Sequence, residues 1–307
     1  MTGPPTNVAG LSGRPAALAA TLPPAGFFVV SAVFHHLGPA FAVLLFARVD
    51  VLGVAWLRIA SAAFVLALWR RPWRALRALN AAGWTLVAGM GVVLALMNAC
   101  FYVAIDRLPL GMVAAIEFLP VVVLAAAGTR TARNALAVLL AVGGVAALAD
   151  VRLVGEPLGF AFAFLNALLF ALYIVLGHRV AQHRLVSGID GLAAAMLVAL
   201  VVVTPIGGWG AAPALVDPVA VAAGVGVGLA SSVVPYVADQ LAMARMRRAT
   251  YALLVSLLPA TATVIGVVVL AQLPTPVEIG GVALVIVGVA IHRERPATPA
   301  PAGPRRA

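Results

Sequence analysis

Residues Asp106–Pro120 read DRLPLGMVAAIEFLP: a short polar turn, then an apolar helix carrying one carboxylate, Glu117, with a proline three residues on. A carboxylate in the middle of a helix of hydrocarbon length is costly, so it points to function before it points to packing. The rest of the chain decides whether that helix lies in a membrane. Of the 307 residues, 64% are hydrophobic and 10% are charged, with a mean hydropathy of +1.10. No water-soluble core needs that much apolar sequence. The apolar runs recur along nearly the whole length, each close to the roughly 20 residues a helix needs to cross a bilayer. The expected fold is an all-α integral membrane protein.

Ten spans can be counted: Gly26–Ala47, Val51–Trp69, Ala82–Ile105, Pro109–Ala127, Ala135–Ala149, Leu158–Gly177, Gly191–Ile206, Pro218–Ala244, Ala249–Leu270 and Pro276–Ile291. Residues 1–25 lack the charged start, apolar core and small-residue cleavage site of a signal peptide and read as a disordered cytoplasmic tail. The Pro/Ala-rich residues 293–307 read as a second tail.

Every basic residue is an arginine, and the arginines orient the bundle. With the N-terminus inside, sixteen of the twenty fall in inside segments, three (Arg48, Arg107 and Arg152) fall outside, and Arg58 lies within the second span. The positive-inside rule then places both termini in the cytoplasm. Topology accounts for the net charge of +10 and makes nucleic-acid binding unnecessary. The single cysteine, Cys100, excludes an intramolecular disulfide.

Sliding the chain by 139 residues lays Glu117-Phe-Leu-Pro120 on Ser256-Leu-Leu-Pro259. The turn at Asp106–Arg107, assigned outside, then falls on the basic turn at Arg245, assigned inside. Five spans per half is an odd number, so the second half enters the membrane inverted. The expected architecture is two inverted five-helix repeats, residues 26–149 and 150–292, with a substrate site between them near the midplane.

Arg58, Asn98 and Glu117 lie at a similar depth in the second, third and fourth spans, about 12 Å from the outer face at a rise of about 1.5 Å per residue. They can line a cavity in which Arg58 holds a carboxylate, Glu117 an amino group or a proton, and Asn98 a neutral contact. They can equally form a static Arg58–Glu117 ion pair that braces the helices. His35 and His36 precede Gly38-Pro39 in the first span and are candidates for proton binding or for hydrogen-bonded interior roles. Neighbours on a helix point about 100° apart, so both cannot face one cavity. Asn166 and Tyr173, seven residues apart in the sixth span, share a face. Tyr236 and Asp239 make an inner gate, or Asp239 snorkels to Arg245. Ser256, the repeat counterpart of Glu117, reads as packing or substrate contact. Glycines within the spans read as packing positions. No metal-spaced His/Cys set, nucleophile elbow or Walker motif is present, so neither an enzyme nor ATP-driven transport is expected, and no cofactor or metal.

Leu57-Arg58, MNACFYVAIDRLPLGMVAAIEF from Met97 to Phe118, ALYIVLGHR from Ala171 to Arg179, and VPYVADQLAMARMR from Val234 to Arg247 together carry a resemblance. Over Phe27–His292 the chain resembles the EamA family of drug/metabolite transporters, and within it the threonine/homoserine exporter-like branch. The resemblance implies ten helices in two inverted repeats, cytoplasmic termini, and export of small metabolites, in many members amino acids, against protons. By position, Arg58, Asn98, Glu117, Pro235, Tyr236 and Asp239 fall on polar or proline positions of the family pattern. The chain departs from it at Leu258-Pro259, where a glutamate usually precedes the proline, at Ala271-Gln272, where Gly-Glu is usual, and at Asp239, where glutamate is common. The expected function is export of amino acids or similar zwitterions across the bacterial inner membrane by proton antiport. The alternatives are efflux of cationic or amphipathic toxic compounds, and a structural or sensory subunit. Expected partners are a small-molecule substrate, protons and the lipid bilayer, with a homodimer as a further possibility and no nucleic acid.

Overall fold

The computed structural model describes residues 24–127, 131–152, 156–181, 188–235, 238 and 258–291, which are helical apart from short turns. The apolar helices are α1 (Pro24–Leu45), α2 (Val51–Arg70), α3 (Ala81–Arg107), α4 (Leu110–Ala127), α5 (Ala132–Arg152), α6 (Pro157–Ala181), α7 (Gly188–Ala211), α8 (Pro218–Gly228), α9 (Leu258–Leu270) and α10 (Pro276–Ile291). A short helix, Trp73–Ala78, precedes α3, and α8 runs on into a π turn, Leu229–Val233. By length and composition, α1, α2, α3, α6 and α7 each contain a stretch able to cross a membrane, and the other apolar helices hold described stretches of 10–17 residues.

Local chemistry sets the helix ends. Asp50 accepts from the N–H groups of Leu52 and Gly53 ahead of α2, Asn80 from Gly83 ahead of α3, and Asp217 from Val219 ahead of α8. In each case a side-chain oxygen takes up an N–H that the helix itself leaves unpaired. At the start of α10 the Glu278 N–H donates to Thr275 Oγ1 and the Thr275 N–H donates to Glu278 Oε2, a reciprocal capping box. At the end of α9, Ala271 takes φ 53° and Gln272 N–H donates to Gly266 O. A side chain in that left-handed region is crowded against the backbone.

Small residues stand at the closest helix contacts of the interior, beside larger fully buried ones such as Leu66, Leu94 and Phe160. Ala40, Ala55, Ala62, Ala95, Ala115, Ala163 and Ala194 are fully buried, whereas Leu139, Leu168, Val201, Trp209 and Val268 point outward and are exposed. That order suits lipid, where apolar side chains gain nothing by turning inward and helices associate by close backbone approach. Two pairs take it furthest. Between α5 and α10, a Cβ on Gly144 would lie 2.5 Å from Gly281 O and one on Gly288 would lie 2.7 Å from Ala137 O. Arg133 Nε on α5 donates to Ile291 O at 2.6 Å, closing the last turn of α10. Between α2 and α7, a Cβ on Gly53 would lie 2.5 Å from Gly210 O, and one on Gly207 would collide with Leu52 O. Trp56 Nε1 donates to Thr204 Oγ1 at 3.0 Å, and Arg70 pairs with Asp190 at 2.8 Å at the other end.

Around these seams α3 packs on α6 and α7, α8 on α1 and α2, α9 on α1 and α4, and α4 on α5 and α6. The seventh helix was expected to end at Ile206, but α7 continues through Pro205 and the following glycines to Ala211. Those glycines are the surface that receives α2, so the stretch is held as helix by its partner. The fifth helix likewise extends beyond its expected edges. The eighth span, expected as one helix bent at Pro235, contains the π turn just before it. Its continuation beyond residue 238, with Asp239, and the region holding Ser256 lie outside the described residues, as does Tyr236.

Gly143 and Gly144 separate packing from propensity. A Cβ on Gly143 meets nothing within 4 Å, so Gly143→Ala is expected to be neutral or stabilising by up to about 1 kcal/mol. Gly144→Ala is expected to cost about 1–3 kcal/mol. Ala271→Gly is expected to add about 0.5–1 kcal/mol, once relief of the left-handed strain is set against the freer unfolded chain. Thermal unfolding of the three variants in one detergent checks these values.

Candidate functional site

Polar side chains from five helices converge on one small buried cavity. It is lined by His35 and Pro39 of α1, Arg58 of α2, Met97, Asn98 and Phe101 of α3, Glu117 of α4, and Asn166, Phe170 and Tyr173 of α6. Its volume is about 30 Å³, room for a single water. Arg58, Asn98, Glu117 and Asn166 are all buried, so each must find its hydrogen bonds within the protein or with whatever enters the cavity.

Arg58 finds them on α8. Its Nε donates to Ser232 Oγ and its Nη2 to Ser231 O, both at 3.1 Å, and its guanidinium lies 5.6 Å from the centre of the Tyr102 ring. The accepting residues belong to the π turn. A π turn shifts the hydrogen-bond register of the helix, which leaves backbone oxygens open to an outside donor. Glu117 is bound by Asn166, whose Nδ2 donates to Oε1 at 3.1 Å. No ion pair joins Arg58 to Glu117; among the described residues the bridges are Arg70–Asp190 and Arg107–Glu156. The static brace considered from sequence is therefore not formed, because α8 supplies Arg58 with neutral acceptors.

Asn98 Nδ2 donates to Leu94 O of its own helix at 2.8 Å. Tyr173 stacks on Phe170, their ring centroids 6.4 Å apart, and Phe170 meets Phe118 edge-on. Of the two histidines only His35 lines the cavity. His36 turns away, its Nδ1 3.1 Å from Ala32 O and 3.3 Å from Thr261 Oγ1 on α9. Six of the candidate residues are thus brought together, namely His35, Arg58, Asn98, Glu117, Asn166 and Tyr173. His36 is set apart, and Tyr236, Asp239 and Ser256 lie outside the described residues.

Ser231, Ser232 and Tyr102 were not among the residues singled out from sequence. Tyr102 follows Asn98 by four positions and so shares its face of α3, the signal that could have found it. The adjacent hydroxyls of Ser231 and Ser232 inside an apolar span were the signal for the other two. Among the described residues, the buried Asn166 Oδ1 has no hydrogen-bond partner, while the Tyr102 hydroxyl lies close to Arg58 and Ser231. An unpaired polar atom in a low-dielectric interior is costly, and Asn166 on the cavity wall marks where a polar guest would be welcomed. Chemically the cavity offers one guanidinium, one carboxylate, one imidazole and two amides, the recognition set for a small molecule carrying charges of both signs.

An inside-out helical bundle around a buried, charged cavity defines a membrane protein that handles small polar solutes. Its relatives are transporters. The sequence pattern of the EamA-like transporter family matches residues 157–292. The threonine/homoserine exporter RhtA of Escherichia coli K12 is 32% identical over 247 residues, 79% of this chain and 81% of that protein. RhtA of Salmonella typhimurium is 31% identical over 249 residues, with the same coverage. A solved crystal structure has the same fold at a TM-score of 0.54 and 18% identity, covering 87% of this chain and 96% of its own. The chain belongs to the EamA-like transporter family and is a multi-pass membrane transporter, not an enzyme.

Asn166→Leu removes the donor from Glu117 and is expected to cost about 1–3 kcal/mol. Glu117→Gln keeps an acceptor oxygen for Asn166 and is expected to unfold close to the parent. Thermal unfolding of the two variants in detergent tests this.

Proposed function

We propose that the protein is an exporter of small metabolites, amino acids or similar zwitterions, in the inner membrane of a bacterium, and that it works by proton antiport with Glu117 as the proton carrier. The relatives named as threonine/homoserine exporters support the substrate class. One observation carries the mechanism: Arg58 and Glu117 line the same cavity, yet Arg58 donates to α8 and, among the described residues, Glu117 is held by a neutral amide. Asn166 Nδ2 can donate to Oε1 whether Glu117 is a carboxylate or a carboxylic acid, so this contact does not lock its charge. In a cavity widened to admit a substrate, its carboxylate has the remaining guanidinium N–H groups of Arg58 and its ammonium has Glu117. In export against protons, the ammonium leaves Glu117 as a proton arrives.

The packing supports two inverted halves, 26–149 and 150–292. Under that exchange, α3 on α6 corresponds to α8 on α1, α3 on α7 to α8 on α2, and α4 on α6 to α9 on α1. The pairs α2–α7, α4–α9 and α5–α10 are each their own counterpart. With the arginine distribution, this reading puts both termini in the cytoplasm.

The stacked Phe170 and Tyr173 beside Glu117 favour a second reading, efflux of an amphipathic cation. Arg58 in the same space opposes a guest that carries positive charge alone. A growth panel of dyes and quaternary ammonium compounds separates the two, because zwitterion export leaves tolerance to them unchanged.

The main test uses proteoliposomes loaded with L-threonine or L-homoserine. The parent is expected to release them faster when protons are more concentrated outside, and Glu117→Gln is expected to lose that dependence. Equal export by Glu117→Gln at every pH would sink the proton role.

A further inference from the structure

A second cavity, of about 300 Å³, opens between the α3–α4 turn and the α9–α10 turn. It stacks directly beyond the central one. On α1 its wall is Val43 where the central cavity has Pro39, on α3 Ile105 where it has Phe101, and on α4 Met112 where it has Glu117. Four or five residues of helix separate the two, roughly 6–8 Å. The central cavity admits one water, whereas the outer one has the size of a small-molecule pocket.

Charges of both signs stand at its wall. Asp106 and Arg107 are exposed on the α3–α4 turn, and Arg107 reaches Glu156 only at 4.0 Å, so its guanidinium can exchange that partner cheaply. Gln272 adds a neutral amide, and its Oε1 accepts from the Leu110 N–H at 3.1 Å, tying the α9–α10 turn to the start of the helix that carries Glu117. In its wall α4 and α9 touch closely, since a Cβ on Gly111 would collide with Thr263 Oγ1.

We propose that this outer cavity is a second solute site on the transport path, taking a small zwitterion with its carboxylate on Arg107 and its ammonium on Asp106. The Gly111–Thr263 seam joins α4 to α9 in the wall of this outer cavity, and the Gln272–Leu110 hydrogen bond holds that seam shut. This rests on the export reading given above. A solute released from Arg58 and Glu117 passes Met112 and finds charges of both signs, Arg107 against Asp106 and Glu278, before it reaches water.

The test uses full-length protein in vesicles with Cys100→Ala, so that Leu273→Cys on the cavity wall is the only thiol for a membrane-impermeant maleimide. L-threonine at ten times its dissociation constant is expected to slow labelling roughly tenfold. The protection should persist in Glu117→Gln and vanish in the Asp106→Asn/Arg107→Gln double variant. Absence of protection in the parent, or protection lost with Glu117→Gln and kept in the double variant, overturns the outer site. Threonine counterflow in the same vesicles reads the export assignment separately. Counterflow without protection removes the outer site and leaves export standing; absence of counterflow for threonine, homoserine and a panel of amino acids removes both. For the seam, Phe101→Cys in the central cavity should be labelled about tenfold faster when Gln272→Ala or Gln272→Leu shifts the seam towards open by that factor. Gln272→Glu, which keeps the acceptor, should leave the rate unchanged. Equal rates in all three variants would show that Gln272 does not hold the seam.

Discussion

A guanidinium buried in hydrocarbon must be satisfied by the protein around it, and much of this bundle is arranged so that Arg58 is. The donors of Arg58 reach a carbonyl and a hydroxyl on α8, and regular helix has neither a free carbonyl nor a reason to approach so closely. The π turn at Leu229–Val233 supplies the carbonyl, and glycine supplies the approach. A Cβ on Gly228 would meet Arg58 O at 2.8 Å, and one on Gly38 would meet Ser231 N at 2.7 Å. Three helices therefore meet at one point because the smallest residue stands at each crossing. With Arg58 bound to neutral groups, Glu117 is left, among the described residues, to the amide of Asn166, and the central cavity keeps a carboxylate outside any ion pair.

The same economy runs through the packing. Alanine and glycine stand where helices cross most closely, and bulky apolar side chains cover the outside as well as part of the core. What fixes such a bundle is contact between backbones, with a few polar ties at the ends: Arg133 on Ile291 O, Arg70 on Asp190, Gln272 on the Leu110 N–H. The ties at the ends of α5–α10 and α2–α7 join helices already in tight contact along their length. The tie at Leu110 differs, because beside it lies the narrow Gly111–Thr263 contact in the wall of the outer cavity.

Much of this was legible in the sequence because hydrocarbon length and charge leave strong marks. The helical stretches follow from the apolar runs, and the depth argument for Arg58, Asn98 and Glu117 led to residues that do share a cavity. The rule that neighbouring helical residues diverge foretold that only one of His35 and His36 would face it. What could not be read was the partner of Arg58. A serine pair in an apolar span is cheap to bury and unremarkable, and nothing in LASSV announces a change of helical register. The seventh helix was cut short because glycines after Pro205 resemble an ending until a second helix is laid against them. Sequence marked Gly143 and Gly144 alike, and only their neighbours tell them apart.

That last difference reaches beyond stability to how the chain can change over generations. Glycine has no smaller substitute, so every replacement adds bulk, and the outcome depends on whether the neighbour can be trimmed in return. Gly224 abuts the side chain of Leu57, which a second mutation can shorten, so that pair can drift together. Gly144 abuts the carbonyl of Gly281, a backbone atom that no codon can remove. The seam between α5 and α10 is therefore closed to compensation at that point, and the descendants of this protein inherit Gly144 as a fixed point around which the rest must vary.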